Sequence, residues 1–149
     1  MDGEVGRTLL FVKTNTEADI IGSALFREGF VASSIHDLRD KEVQDEKLRQ
    51  FRTVEIPIMV ASTSTVQVLD VQPVKHVIQF HLPEDIEEYV YRISFTGRNG
   101  SSGVSTSIFN KRDMVLAQEL VKELRKVLVE SNQMDRWMDG DMNPWLSSR

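Results

Sequence analysis

The sequence predicts an open α/β sheet, mostly parallel, with helices on both faces. Short apolar runs alternate with stretches of helical spacing along most of the chain. The runs, such as Leu9-Leu10-Phe11-Val12, are apolar on consecutive residues, as in a strand covered on both sides. An alternating order of strands and helices calls for crossovers between parallel strands, which places helices on both faces.

Met1 to Arg7 is polar and is expected to fray. Thr8 to Lys13 reads as the first strand. Thr14-Asn15-Thr16 supplies turn and N-cap residues, and Ala18, Ile21, Ala24, Leu25 and Phe26 follow at helical spacing until Gly29 stops the helix. Phe30 to Ile35 reads as the second strand. Asp40 opens a charged helix with Val43, Leu48 and Phe51 as its apolar points. Ile56 to Ala61 is the third strand, and Ser62 to Gln67 a loop or short helix. Val74 to Phe80 is the fourth strand, and Pro83-Glu84-Asp85 sets up a helix bearing Tyr89 and Arg92. Gly103 to Phe109 is the fifth strand. Lys111-Arg112-Asp113 leads into a long helix with Val115, Leu116, Leu120, Leu124, Val127 and Leu128 on its inner side. Ligands of open α/β sheets bind beyond the carboxyl ends of the strands, so the loops at Thr14, Ser62 and Thr96 are expected on one edge.

A length of 149 residues suits one core. Hydrophobic residues at 40% and charged residues at 28% are ordinary for a globular domain. No apolar run reaches membrane-spanning length, and no basic-then-apolar leader opens the sequence, so neither a membrane span nor secretion is expected. The absence of cysteine excludes disulfides and thiolate metal sites. His36, His76 and His81 are scattered without ligand spacing, so no metal site is expected. A net charge of −5 argues against coating nucleic acid by charge alone.

The chain divides into a domain over residues 1–130 and an acidic tail over 131–149. The tail holds Trp137 and Trp145 among methionines, a composition suited to partner binding; the alternative is that these residues cover an apolar patch of their own domain.

The stretch Glu87 to Gly100 passes from helical spacing into a basic loop with glycines. Arg92 and Arg98 suit an anionic ligand, because a guanidinium offers several fixed donors to phosphate oxygens. Gly97 and Gly100 allow close backbone approach. The alternative is a helix end with a solvated turn.

Tyr91-Arg92-Ile93-Ser94-Phe95-Thr96-Gly97-Arg98 resembles the last motif, His-Arg-Ile-Gly-Arg-Thr-Gly-Arg, of the C-terminal RecA-like domain of DEAD-box RNA helicases, of Vasa or Ded1 type. The resemblance runs from about Leu9 to Leu128. It includes Leu10-Phe11-Val12-Lys13-Thr14, Ser34-Ile35-His36, Pro57-Ile58-Met59-Val60-Ala61, Val74 to Pro83, and Ile86-Glu87-Glu88-Tyr89-Val90. It implies a RecA-like sheet. It also implies RNA contacts at Thr14, Ser62, Thr96 and Gly97, nucleotide contacts at Asp70 and Arg98, and Arg98 as the residual arginine finger.

The departures cluster in the ligand loops. After Ala61 the family's Asp, Arg and Gly are replaced by Thr63, Gln67 and Val68, while Leu69 and Asp70 are kept. Tyr91, Ser94 and Phe95 replace His, Gly and the middle Arg of the last motif, and Phe95 has no donor for a phosphate. Asp37-Leu38 replaces Gly-Asp, and Lys41 and Gln44 stand where a Gln and an Arg are expected. The N-terminal lobe's Gly-x-x-x-x-Gly-Lys-Ser/Thr and Asp-Glu-Ala-Asp motifs are not in the sequence.

The expectation is therefore a degenerate helicase C-terminal domain without ATPase activity. It would act as a protein-interaction module in a cytoplasmic ribonucleoprotein or germ-granule-type assembly, with Trp137 and Trp145 as partner-binding residues and a homodimer as one outcome. No cofactor is expected in this domain alone, and ATP with Mg only beside an active N-terminal lobe. The alternative is the C-terminal lobe of an ATP-dependent RNA helicase that still binds RNA.

Overall fold

The computed structural model describes residues 6–37, 40–62, 65, 73–96 and 103–130. Among the described residues, five strands carry the first unit: β1 Thr8–Val12, β2 Ala32–Ile35, β3 Ile58–Ser62, β4 His76–Gln79 and β5 Val104–Ser107. They form one sheet in the order β2-β3-β1-β4-β5, with each neighbouring pair parallel. Between them run α1 (Asn15–Arg27), α2 (Lys41–Arg52) and α3 (Ile86–Ile93). The first unit extends to Asn110 and the second begins at Lys111 with a 3-10 turn, Lys111–Asp113, followed by α4 (Met114–Glu130).

The consecutive apolar residues of the strands divide by parity onto the two faces. Leu9, Phe11, Met59, Ala61, Ile35 and Val77 point to one face, where Phe51 and Leu48 of α2 meet them with Val74 and Phe95. Leu10, Val12, Val60 and Ile78 point to the other and pack on Ala18, Ile21 and Leu25 of α1. A strand sandwiched in this way cannot alternate apolar with polar, which is why β1 and β3 read as unbroken apolar runs.

The helix caps follow the local chemistry. Thr14 caps α1, accepting the Glu17 amide at 3.1 Å, and the Glu17 carboxylate returns to accept the Lys13 amide at 3.1 Å. Asp85 caps α3, its Oδ1 accepting the Glu88 amide at 2.7 Å. Asp40 precedes α2 without a side-chain cap bond.

Several boundaries are narrower than the sequence predicts. Phe30 and Val31 lie outside β2 and are 51% and 52% exposed; β propensity alone does not recruit residues that no neighbouring strand pairs. Val74 is not in β4 but forms an isolated parallel bridge with Thr96. The inner side of α4 is also narrower: Leu116 is buried, whereas Val115 and Leu124 are exposed. Val115 sits about 100° around the helix from Leu116, on a different face. The side chains of Val127 and Leu128 lie outside the described residues, as does the predicted short helix beyond Ser62 apart from Thr65.

Candidate functional site

Parallel strands give the sheet two chemically different edges. The carboxyl edge gathers the ends of β1 and β3, which are neighbours with Val12 opposite Ser62. Thr14 and Ser62 therefore meet at one edge, as expected. The Thr14 side chain is exposed, and its hydroxyl accepts the cap bond, leaving the hydroxyl hydrogen available to a ligand. Ser62 is fully buried, and Thr65 Oγ1 donates to its carbonyl oxygen at 2.7 Å, turning the chain inward.

Thr96 does not join them. Its bridge to Val74 lies before the start of β4, at the amino edge of the sheet. This corrects the expectation of a single edge. The helix between two parallel strands must run back along the sheet before the next strand begins, so the residues that follow α3 arrive at the opposite end. Asp70, Gly97, Arg98, Trp137 and Trp145 lie outside the described residues.

The carboxyl edge is rich in carboxylates that serve the fold. Asp19 accepts from Ser34 Oγ and lies 3.0 Å from His36 Nε2. Asp37 accepts from Asn15 Nδ2 at 2.8 Å, and Glu17 lies 3.0 Å from His81 Nδ1. Two donors of α2 are turned inward to backbone carbonyls. Gln44 donates to His36 at 3.0 Å and Lys47 to Ser34 at 2.7 Å. Lys13 and Lys41 remain exposed. The Asp19–Ser34–His36 cluster escapes a sequence reading that scores His36 by metal spacing. Its signal is Asp19, an acid beside the buried Ala18 on the inner turn of α1.

Arg92 is not a ligand-facing cation. It is fully buried; its NH1 donates to the His81 carbonyl oxygen at 2.9 Å and lies 3.5 Å from Gln79 Oε1. The guanidinium stacks over the Phe11 ring, 5.2 Å from the centroid. Burial pulls its pKa below the ordinary arginine value, and Glu88, 3.4 Å from Nε, opposes that shift. The signal for this role is its place three residues after buried Tyr89 on the inward stripe of α3.

Phe95 completes the contrast. It is 2% exposed, within the α2-side core, with its ring 6.1 Å from Phe11 and 5.3 Å from Tyr91. The middle arginine position of the motif thus holds a core side chain with no hydrogen bond to offer a phosphate. Among the described residues no group of three or more His, Asp or Glu could hold a metal ion, and no described helix is long and apolar enough to cross a membrane.

An open parallel sheet in this order, with helices on both faces and this succession of motifs, is the RecA-like fold of a helicase lobe. Residues 1–100 match the helicase conserved C-terminal domain. The chain belongs to that family, and its type is the C-terminal domain of DEAD-box RNA helicases. It is 40% identical over 139 residues to the probable ATP-dependent RNA helicase DDX4 of Pelophylax lessonae, covering 91% of this chain and 19% of that protein. The yeast DEAD-box splicing factor Prp28 has a similar structure, with TM-score 0.74 and 27% identity over 81% of this chain and 27% of that one. S. cerevisiae Dbp5, solved bound to nup159, gle1 and IP6 with ADP, is similar at TM-score 0.69 and 24% identity, covering 80% and 32% of the two chains.

Proposed function

We propose that this DEAD-box C-terminal domain has left nucleotide handling and serves as a protein-docking module in RNA biology, in a cytoplasmic ribonucleoprotein assembly. The observation that carries the reading is Phe95, an aromatic side chain buried in the core where the family's motif places an arginine. An arginine at such a place stabilises charge that develops on a transferring phosphoryl group, and its loss costs several powers of ten in rate. Two further observations support the reading. Arg92, the one cation of the motif among the described residues, is consumed by the fold. The surface carries exposed Ile20, Phe26, Phe30 and Val31 around α1 and its exit, as a docking surface does. The similar Dbp5 domain has been solved with protein partners bound.

The second reading, an RNA-binding helicase lobe, draws on Thr14 and Ser62 standing together at the carboxyl edge. Steady-state ATP hydrolysis by the natural protein, with and without single-stranded RNA, separates the two. Docking without turnover predicts no RNA-stimulated hydrolysis above the no-enzyme rate. RNA-stimulated turnover that Arg98→Ala abolishes overturns it.

A further inference from the structure

We propose that the outward face of α3 docks a cationic, partly apolar segment of a partner protein; this rests on the docking-module reading and names the partner's chemistry. Glu87, Val90 and Tyr91 are spaced to share one helix face. Val90 is 46% exposed and Tyr91 36% exposed. Beside them lies a shallow hollow of about 460 Å³ whose described lining is Asp85, Glu87, Glu88 and Tyr91. The Tyr91 ring stands edge-on to Phe95, at 71° and 5.3 Å between centroids, and Phe95 is fixed in the core. The aromatic wall is thus preorganised, which lowers the ordering cost of binding.

An apolar helix face alone does not choose its occupant; here the charge does. The hollow's described polar lining is three carboxylates and a phenol. The nearest cation on this helix, Arg92, is buried on its opposite side with Glu88 already beside it. An arginine or lysine lays its aliphatic stem on Val90 and sets its cation against Glu87 and over the π face of Tyr91. A phosphate-bearing RNA is repelled by the same carboxylates. A second copy, from a chain of net charge −5, brings the same sign of charge to the contact.

The test uses the 149-residue chain, isotope-labelled for amide NMR. It is titrated with a six-residue peptide of alternating arginine and leucine, with the glutamate–leucine counterpart, and with oligouridine. The expected result is amide shifts concentrated in residues 85–94 for the arginine peptide alone. Binding should weaken as salt rises, and Glu87→Lys should weaken it roughly tenfold without lowering Tm. Tyr91→Leu, which keeps an apolar surface but removes the ring, should weaken it roughly threefold. Binding that Glu87→Lys leaves unchanged, shifts mapping elsewhere, absence of shifts, or equal binding of either control ligand at this face overturns the inference. A silent titration in a protein that also lacks RNA-stimulated ATP hydrolysis removes this site and leaves the docking-module reading standing. RNA-stimulated hydrolysis removes the reading beneath it.

Discussion

The Arg92 guanidinium reaches from α3 to the His81 carbonyl oxygen, 2.9 Å away, while lying over the Phe11 ring. A charge is thereby used as a strut between helix, strand end and core. Arg92→Ala should destabilise the domain by about 2–4 kcal/mol, because it strands buried acceptors and leaves a gap on Phe11. Arg92→Lys, which keeps the charge and loses the planar fork, should cost about 1–2 kcal/mol. Urea unfolding measures both. A cost near zero for Arg92→Ala would return this residue to the list of ligand-facing cations.

Restoring the family's residue at position 95 should fail. Phe95→Arg places an unpaired charge against Phe11 and Val77 and should cost about 3–5 kcal/mol. Phe95→Leu should cost about 1 kcal/mol, as a volume-reducing swap in the same core. Thermal unfolding compares them. A Phe95→Arg protein as stable as the parent would show that this position is free to turn outward.

Val54 holds φ +64° just after α2, where the Ile56 amide reaches back to the Gln50 carbonyl at 3.1 Å. That left-handed position suits glycine and crowds a β-branched side chain. Val54→Gly should stabilise by about 0.5–1 kcal/mol, the relief of strain exceeding the entropy glycine adds to the unfolded chain. Loss of stability in denaturant melts would indicate that the Val54 side chain contributes packing that outweighs its backbone cost.

Arg49 clasps Glu46 at 2.8 Å and Glu55 at 2.9 Å, closing the exit of α2. Hydrogen bonds hold both carboxylates below the usual glutamate value of 4.5, Glu46 mainly through Arg49 and Glu55 mainly through Thr53 and then Arg49. A depressed folded-state pKa contributes stability above the unfolded value, lost as pH falls through the folded one. Amide exchange over residues 53–56 should therefore accelerate, relative to the intrinsic rate, as pH drops below about 4.5. Arg49→Ala should weaken that pH dependence, leaving the part that Thr53 holds through Glu55. An unchanged profile in the variant would assign the turn's order to the Thr53–Glu55 bond and the backbone bonds without Arg49.

The sheet was legible because β1 and β3 are sandwiched: neither can hide a polar residue mid-strand, so the pattern survives in the sequence. The cap at Thr14 was legible for a similarly local reason, an acceptor side chain three residues before the amide it satisfies. What sequence spacing did not reveal was long-range. Arg92 carries the charge of a ligand-binding residue, and only its burial against Phe11 shows the other use. Thr96 lies near the glycine loop in sequence, yet its edge depends on the direction in which α3 runs. Phe30 and Val31 have strand-forming side chains but no strand beside them to pair with.

The return of the chain along α3, from Gln79 to Thr96, gives the domain two ends that can drift separately. Strands of four or five residues set the Thr96 bridge about 15 Å from the Thr14 cap. Substitutions accumulating around Tyr91 and Phe95 need disturb no hydrogen bond at Thr14 or Ser62.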